Sequence, residues 1–509
     1  MRSVTWNYLG YFCEFVAGVF LLAFVVRKLP VDDYGIYLLA QSLAAFLYLL
    51  DFGLSNVLVP LYVSTFARGG IAEVSKLASC LVMTLLGMGI AGATGLSLAA
   101  MLMPELIRLP TARMALAVQV LIVVSAAVCL MLPQMALEHL CQAFHRFDRV
   151  NQVQIAAVAM RVVLTLVVLD AGKGILALAG VQVAVSLSRL AGLWLVASTG
   201  ISGLSLRLFS FDTDRLREAI GLSRWAFVDD VSRRIGMNTE TVVLAALGSL
   251  NQVAMFGIGG KLPAHLYQFA VRGLSVLVPT LTQHHAEGDT AQLRSTFCNA
   301  YRVCLTGVVP LATFGSIGAR PLIAIWAGPA YLGAAPVLSW LMISALSMVI
   351  LTPSDMVLYS HNRIGQAAWF SCIETLGKIL VVLALAARYG AVGAAAGVAV
   401  WNWCVNLFCY LPAACKVAEM RPWELWRAAL MGSSGASGQQ AQSERTSNLL
   451  QGGAYVACAV VLAVGVRHLA ALEMFAACVG VSLLYFAVWV GCTALPMWRR
   501  ASAEAPAVL

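Results

Sequence analysis

The chain has 509 residues, 61% of them hydrophobic and only 11% charged, with a formal net charge of +9. A water-soluble domain carries roughly 25% charged residues, so a chain this long and this poor in charge cannot clothe a water-facing surface, and a mean hydropathy of +0.84 agrees. A cytosolic enzyme, a secreted disulfide scaffold, a coiled coil and a disordered chain are excluded. An all-α integral membrane protein remains, because apolar runs of bilayer-spanning length recur along the chain.

Fourteen candidate spanning segments follow in chain order: 4–26, 36–65, 77–103, 114–140, 150–170, 174–198, 222–248, 252–281, 298–326, 332–358, 364–387, 391–415, 449–467 and 470–495. The first is too long for a signal-peptide core and no small-residue cleavage site follows it, so it is expected to stay in the protein. The longest connections lie near 199–221 and 416–448. The second contains Gly432-Ser433-Ser434-Gly435-Ala436-Ser437-Gly438-Gln439-Gln440, a flexible polar linker. Most of the thirteen cysteines, among them Cys13, Cys80, Cys129, Cys304, Cys404 and Cys478, sit inside apolar runs without metal-like spacing and read as small buried hydrophobes.

Alternation of the segments from a cytoplasmic N-terminus puts eighteen Lys and Arg inside and eight outside. The outer eight are Arg27, Lys28, Arg108, Arg113, Lys173, Arg320, Arg388 and Arg467. This bias predicts that both termini are cytoplasmic and accounts for the basic balance. No Lys/Arg cluster lies on a polar segment large enough to fold, so nucleic acid is not an expected partner.

An internal repeat is visible. Gly53-Leu54-Ser55-Asn56-Val57-Leu58-Val59-Pro60 recurs as Gly273-Leu274-Ser275-Val276-Leu277-Val278-Pro279. Gly35 matches Gly257, Arg161 matches Lys378, and Gly174 and Gly180 match Gly390 and Gly397, all at offsets of 216–222 residues. Six segments per repeat is an even number, so both halves insert with the same orientation, two parallel six-helix repeats around a central cavity. The expected organisation is a first lobe over 1–203, a second over 204–419, a cytoplasmic linker over 420–448, and two extra helices with a short tail over 449–509.

Intramembrane charge is costly, about 2.5–3.5 kcal/mol per group on insertion scales, so its placement is informative. In segment 8, Lys261, His265, Gln268 and Arg272 are spaced 4, 3 and 4 and form one helical stripe with no local acid. Segment 7 carries Asp229, Asp230, Arg233, Arg234 and Glu240, and its pairs 229/233 and 230/234 are spaced to neutralise each other. Segment 2 has Gln41, Tyr48, Asp51 and Ser55, and segment 1 has Asn7, Tyr11 and Glu14. Under the repeat, segment 1 corresponds to 7 and segment 2 to 8. Four symmetry-related polar stripes suggest one shared, water-filled cavity. Arg161, Arg189 and Asp355 stay unassigned, and His284 and His285 read as solvated loop residues. No nucleotide-cradling loop, paired Cys/His ligands or GxSxG occurs, and no extramembrane segment has room for a catalytic domain. Neither an enzyme nor a cofactor is expected.

Val25-Val26-Arg27-Lys28-Leu29-Pro30-Val31-Asp32-Asp33-Tyr34-Gly35-Ile36-Tyr37, followed by Leu50-Asp51-Phe52-Gly53-Leu54, resembles the opening of polysaccharide transporters. That family includes Wzx-type flippases of lipid-linked oligosaccharides, within the multidrug/oligosaccharidyl-lipid/polysaccharide exporter superfamily. Glu240-Thr241-Val242-Val243-Leu244, Val253-Ala254-Met255-Phe256-Gly257 and Trp326-Ala327-Gly328-Pro329-Ala330-Tyr331 are similar to later motifs of the family, with Glu240 where Asp is usual. The likeness covers roughly residues 1–415. The two extra segments resemble those of lipid II flippases.

The resemblance implies a two-lobed bundle in the cytoplasmic membrane. Its expected substrate is a polyprenyl-diphosphate-linked oligosaccharide moved by alternating access, with membrane lipids and polysaccharide polymerase or assembly proteins as further partners. On that basis Arg233, Arg234, Lys261 and Arg272 are candidate head-group cations, since Arg suits bidentate phosphate contacts. Glu14, Asp51, Glu240, His265 and Gln268 are candidate cavity-lining or coupling residues. A multidrug or small-solute antiporter is the competing reading, disfavoured by the positive stripe of segment 8. A glycan polymerase or ligase is disfavoured by the short outer loops.

Overall fold

The computed structural model describes residues 2–54, 58–102, 111–206, 213–247, 250–274, 277–361 and 363–431. The linker expected over 420–448 begins with a described helix at Pro422–Met431; its remainder and the segments expected at 449–467 and 470–495 lie outside the described residues. Within the described residues all repeating structure is helical. The helices are α1 (Arg2–Lys28), α2 (Val31–Ala45), α3 (Leu58–Leu102), α4 (Thr111–Ala143), α5 (Phe147–Asp170), α6 (Ile175–Gly200), α7 (Thr213–Ala246), α8 (Leu250–Leu274), α9 (Leu277–Glu287), α10 (Thr290–Ile317), α11 (Ala319–Trp326), α12 (Ala334–Ser360), α13 (Ile364–Val405), α14 (Leu411–Val417) and α15 (Pro422–Met431). Eight stretches among the described residues are long and apolar enough to cross a membrane. Helices α7 and α8 are not among them, since they carry the charged stripes.

Several sequence segments are divided or fused. Segment 2 breaks into α2, a 3-10 turn at Phe46–Asp51 and the start of α3. Segment 3 continues α3 beyond a turn at Gly70, where φ is 65°. Segments 11 and 12 form α13 around Gly390 at φ 58°, and the chain passes through a π-helical turn at Asn406–Tyr410 into α14. Glycine takes these left-handed angles without a Cβ penalty.

The repeat has a backbone counterpart. Left-handed positions recur 216–218 residues apart at Gly70 and Gly288, Gly172 and Gly390, and Gly203 and Glu419. Arg146, at the start of α5, has φ −89° and ψ 36°; Arg363, at the start of α13, has φ −93° and ψ 36°. Two halves of different sequence thus turn their chains at matching places.

Contacts divide the chain into two compact units, Met1–Ala254 and Met255–Leu509. The division falls later than residue 203 because α7 packs against α2, α3 and the 3-10 turn of the first unit. In that unit α4 is central, packing on α2, α3 and α6, while α1 lies along α5. One core joins Leu54, Leu58 and Tyr62 to Leu81, Leu132, Leu140 and Leu193. In the second unit α12 packs on α10 and α13, around Phe297, Tyr301, Ile350 and Leu411.

Polar contacts show which helix ends share a side. In the first unit, Lys28 at the end of α1 pairs with Asp170 at the end of α5 at 3.0 Å. Arg113 of α4 reaches Asp32 and Asp33 at the start of α2, each at 3.2 Å. The Ser205 amide donates to Ser75 Oγ at 3.1 Å. In the second unit, Arg294 meets Glu419, and the rings of His285 and His361 lie 3.9 Å apart. Each pair joins loops that alternation assigns to the same side.

Candidate functional site

The site of the first unit is built on the break in segment 2. The Asp51 carboxylate is buried and accepts the Gly53 amide at 2.8 Å, a local turn that Asp favours over helix continuation. Phe52 and Gly53 follow in left-handed conformation, at φ 50° and 71°. The turn receives α7. A Cβ on Gly53 would lie 2.9 Å from the Phe227 amide nitrogen, and the Phe52 and Phe227 rings stack at 5.4 Å. Gly35 plays the same part at the other end of α2, where a Cβ would collide with the Leu250 carbonyl oxygen. The two glycines of the motif are therefore contact points for backbone.

On α7 the expected pairs are formed. Arg233 Nε donates to Asp229 Oδ2 at 2.9 Å, and Arg234 Nε to Asp230 Oδ2 at 2.5 Å. The Asp229 side chain is 8% exposed and that of Arg233 31%, so the acid is sealed and its partner reaches outward. Arg234 also lies 5.1 Å from the centre of the Tyr48 ring, a cation–π contact. Asp51 lies within electrostatic reach of Asp230. Glu240 is buried on the same helix.

A third charged pair was not anticipated. Arg189 of α6 donates to Glu138 Oε2 of α4 at 2.7 Å and to Gln134 Oε1 at 3.2 Å. Gln134 Nε2 in turn donates to the Ser186 carbonyl, and Gln142 Nε2 to Glu138 Oε1. Both Arg189 and Arg234 lie within electrostatic reach of the Tyr48 hydroxyl. A sequence signal was the four-residue spacing of Gln134, Glu138 and Gln142 within a largely apolar run.

In the second unit, Lys261 is half-buried on α8 and has no hydrogen-bond or ion-pair partner among the described residues. His265 is half-buried and Gln268 exposed on the same helix. Pro263 lies inside the continuous helix, between Lys261 and His265, and removes one backbone bond at that turn. Arg272 belongs to α8, but its side chain lies outside the described set. Glu14, half-buried on α1 in the first unit, has no partner among the described residues. Asp51, Arg233, Arg234 and Glu240 thus belong to one unit, and Lys261, His265 and Gln268 follow one helix of the other. No group of three metal-ligating side chains occurs among the described residues.

Comparison with known structures shows a shared fold. The lipid II flippase MurJ in an inward closed conformation superposes with a TM-score of 0.71 at 11% identity, over 96% of this chain and 99% of that one. An inward-facing multidrug resistance MATE family transporter of the MOP superfamily gives 0.59 at 15% identity, over 79% and 98%. A mutant of the Vibrio cholerae MATE transporter VcmN gives 0.57 at 14%, over 85% and 96%. A search of curated proteins found no match by sequence. A family model described as polysaccharide biosynthesis protein matches residues 24–336. That match takes in the Gly35 and Asp51–Leu54 contacts, the charged pairs of α7 and the stripe of α8, and the chain belongs to this polysaccharide biosynthesis protein family.

Proposed function

We propose that the protein is a flippase that moves a polyprenyl-diphosphate-linked oligosaccharide across the cytoplasmic membrane by alternating access, with both termini cytoplasmic, serving cell-surface polysaccharide synthesis. The observation that carries this reading is the unequal treatment of cations in a chain of this family. Arg233 and Arg234 are each held by an acid four residues away, whereas Lys261 has no partner among the described residues and its helix carries no Asp or Glu. A diphosphate is a dense anion that cannot cross hydrocarbon alone. Lys261 would meet it without displacing a carboxylate, joined by Arg272 of the same helix, and Arg233 and Arg234 would exchange Asp229 and Asp230 for phosphate oxygens. Glu14, Asp51 and Glu240 would balance the cations between cycles. His265 and Gln268, on the Lys261 face, would contact sugar hydroxyls, while the lipid chain stays in the bilayer. Polysaccharide polymerase and assembly proteins would act on the delivered lipid.

The test is a strain lacking the protein, complemented by Lys261→Gln with Arg272→Gln. Surface polysaccharide is expected to fall by about tenfold or more with normal insertion in the membrane fraction. Unchanged export overturns the reading. Resistance to cationic drugs conferred by the wild type, without an effect on polysaccharide, would favour the antiporter reading instead.

A further inference from the structure

A groove of about 560 Å³ runs between α1 and α5, on the face of α1 next to the one that carries Glu14. Its lining is apolar throughout: Cys13, Val16, Ala17, Phe20, Leu21 and Phe24 from one face of α1, with Val162 and Leu166 of α5 opposite. From Cys13 to Phe24 the groove extends about 17 Å at the rise of a helix, about half of a ~30 Å hydrocarbon core. It therefore has the depth of a single leaflet. One end is basic. Lys28 Nζ lies 5.6 Å from the centre of the Phe24 ring and 3.0 Å from Asp170. Arg27 precedes Lys28, and Lys173 follows Asp170 by three residues, all of them exposed. With Asp32, Asp33 and their partner Arg113 counted in, this end carries four bases against three acids and is net positive, although the loops joining these helices are assigned to the side that is poor in Lys and Arg. Four of the eight bases expected there are concentrated at this one place. An apolar channel one leaflet deep with a cationic mouth is complementary to a lipid whose phosphate sits at the interface. Two helices frame one channel, which suits a single hydrocarbon chain rather than the paired chains of a phospholipid.

We propose that the α1/α5 groove binds the isoprenoid chain of a polyprenyl-phosphate-class lipid in the leaflet at the Lys28 end, with Arg27, Lys28 and Lys173 meeting its phosphate. The site rests on the proposed function, for which it supplies a resting place for the carrier lipid after crossing. Burial of the chain supplies affinity in proportion to the apolar area covered, and the bases select for the charged head.

The test uses the full chain in nanodiscs with undecaprenyl diphosphate carrying a diazirine on its chain, and maps the adducts by mass spectrometry. Adducts are expected on Phe20, Val162 and Leu166. Ala17→Trp fills the groove and is expected to reduce them about tenfold. Lys28→Gln with Lys173→Gln lies on an exposed surface where folding is little affected, and is expected to reduce them by about tenfold for the diphosphate but not for a photoreactive undecaprenol. Adducts indifferent to both variants overturn the site. So does photoreactive phosphatidylglycerol labelling the same residues equally well, which would mark ordinary annular lipid. The site and the function fail differently. Export that requires the protein, beside adducts that ignore the groove, removes the site and keeps the function. Groove-dependent adducts, beside export that survives deletion of the protein, keep the site and remove the function.

Discussion

Asp51 holds a turn with the same carboxylate that its spacing assigns to a cavity-facing stripe. Helical spacing alone does not distinguish a charge that faces water from one that folds back on its own backbone, and one Asp51 oxygen accepts the Gly53 amide while the carboxylate stays within electrostatic reach of Asp230. Asn keeps the accepting oxygen and loses the charge. Asp51→Asn is therefore expected to retain thermal stability in detergent, and Asp51→Ala to lose about 1–2 kcal/mol. Export that fails in the Asn variant alone would assign the charge a coupling role beyond the turn. His361, just past α12, carries a different consequence. Burial pushes its imidazole below the ordinary histidine value, and the neighbouring His285 and Arg363 add to the effect, while the Val357 carbonyl opposes it. A base with a depressed folded pKa contributes stability that is present above its unfolded value of about 6.5 and declines as pH falls from there toward the lower folded value. The melting temperature should fall across that window in the wild type and fall less in His361→Asn. An equal slope in both would place the acid sensitivity elsewhere.

At the scale of elements, local pairs were legible and long-range ones were not. The i,i+4 spacing of Asp229 with Arg233 and Asp230 with Arg234 fixes their geometry on any helix, and both pairs formed. Arg189 and Glu138 stand 51 residues apart, and nothing in either run names the other, so Arg189 stayed unassigned until α4 and α6 were seen in contact. The break in segment 2 was hidden for a related reason. Its apolar run is continuous, and only the acceptor at Asp51 and the close approach of α7 at Gly53 show why a helix should stop there. The α4–α6 tie is one-fifth to one-quarter exposed, so its worth is reduced by solvent. Arg189→Ala and Glu138→Ala are each expected to destabilise by about 1–3 kcal/mol, because each leaves a half-buried charge unpaired. The double variant should cost less than the sum, by about 1 kcal/mol, in a thermal or denaturant cycle. Strict additivity would show that the pair holds the helices through packing alone.

For the whole molecule, backbone turns recur at Gly70 and Gly288, Gly172 and Gly390, and Gly203 and Glu419, at offsets like those of the sequence matches but with Gly390 paired to Gly172 and not to Gly174. An even number of helices between equivalent turns requires that equivalent loops emerge on the same side, and the contacts among helix ends agree within each unit. In the first unit Lys28 with Asp170, and Arg113 with Asp32 and Asp33, join loops of one side. In the second, His285 with His361 and Arg294 with Glu419 join loops of one side. The surplus of bases, eighteen against eight, gives the expected orientation, because Lys and Arg are retained where translocation is costly. On the proposed topology the Gly288 turn lies inside and the Gly172 turn outside. Single cysteines introduced at these two exposed glycines, in a background whose native cysteines are replaced, should therefore react oppositely with a membrane-impermeant maleimide. In intact cells Gly172→Cys is expected to be labelled and Gly288→Cys protected, with both labelled after permeabilisation. The reverse pattern would invert the chain and turn the cationic mouth at Lys28 toward the cytoplasm. Labelling of both in intact cells would break the even count itself, and with it the parallel orientation of the two repeats.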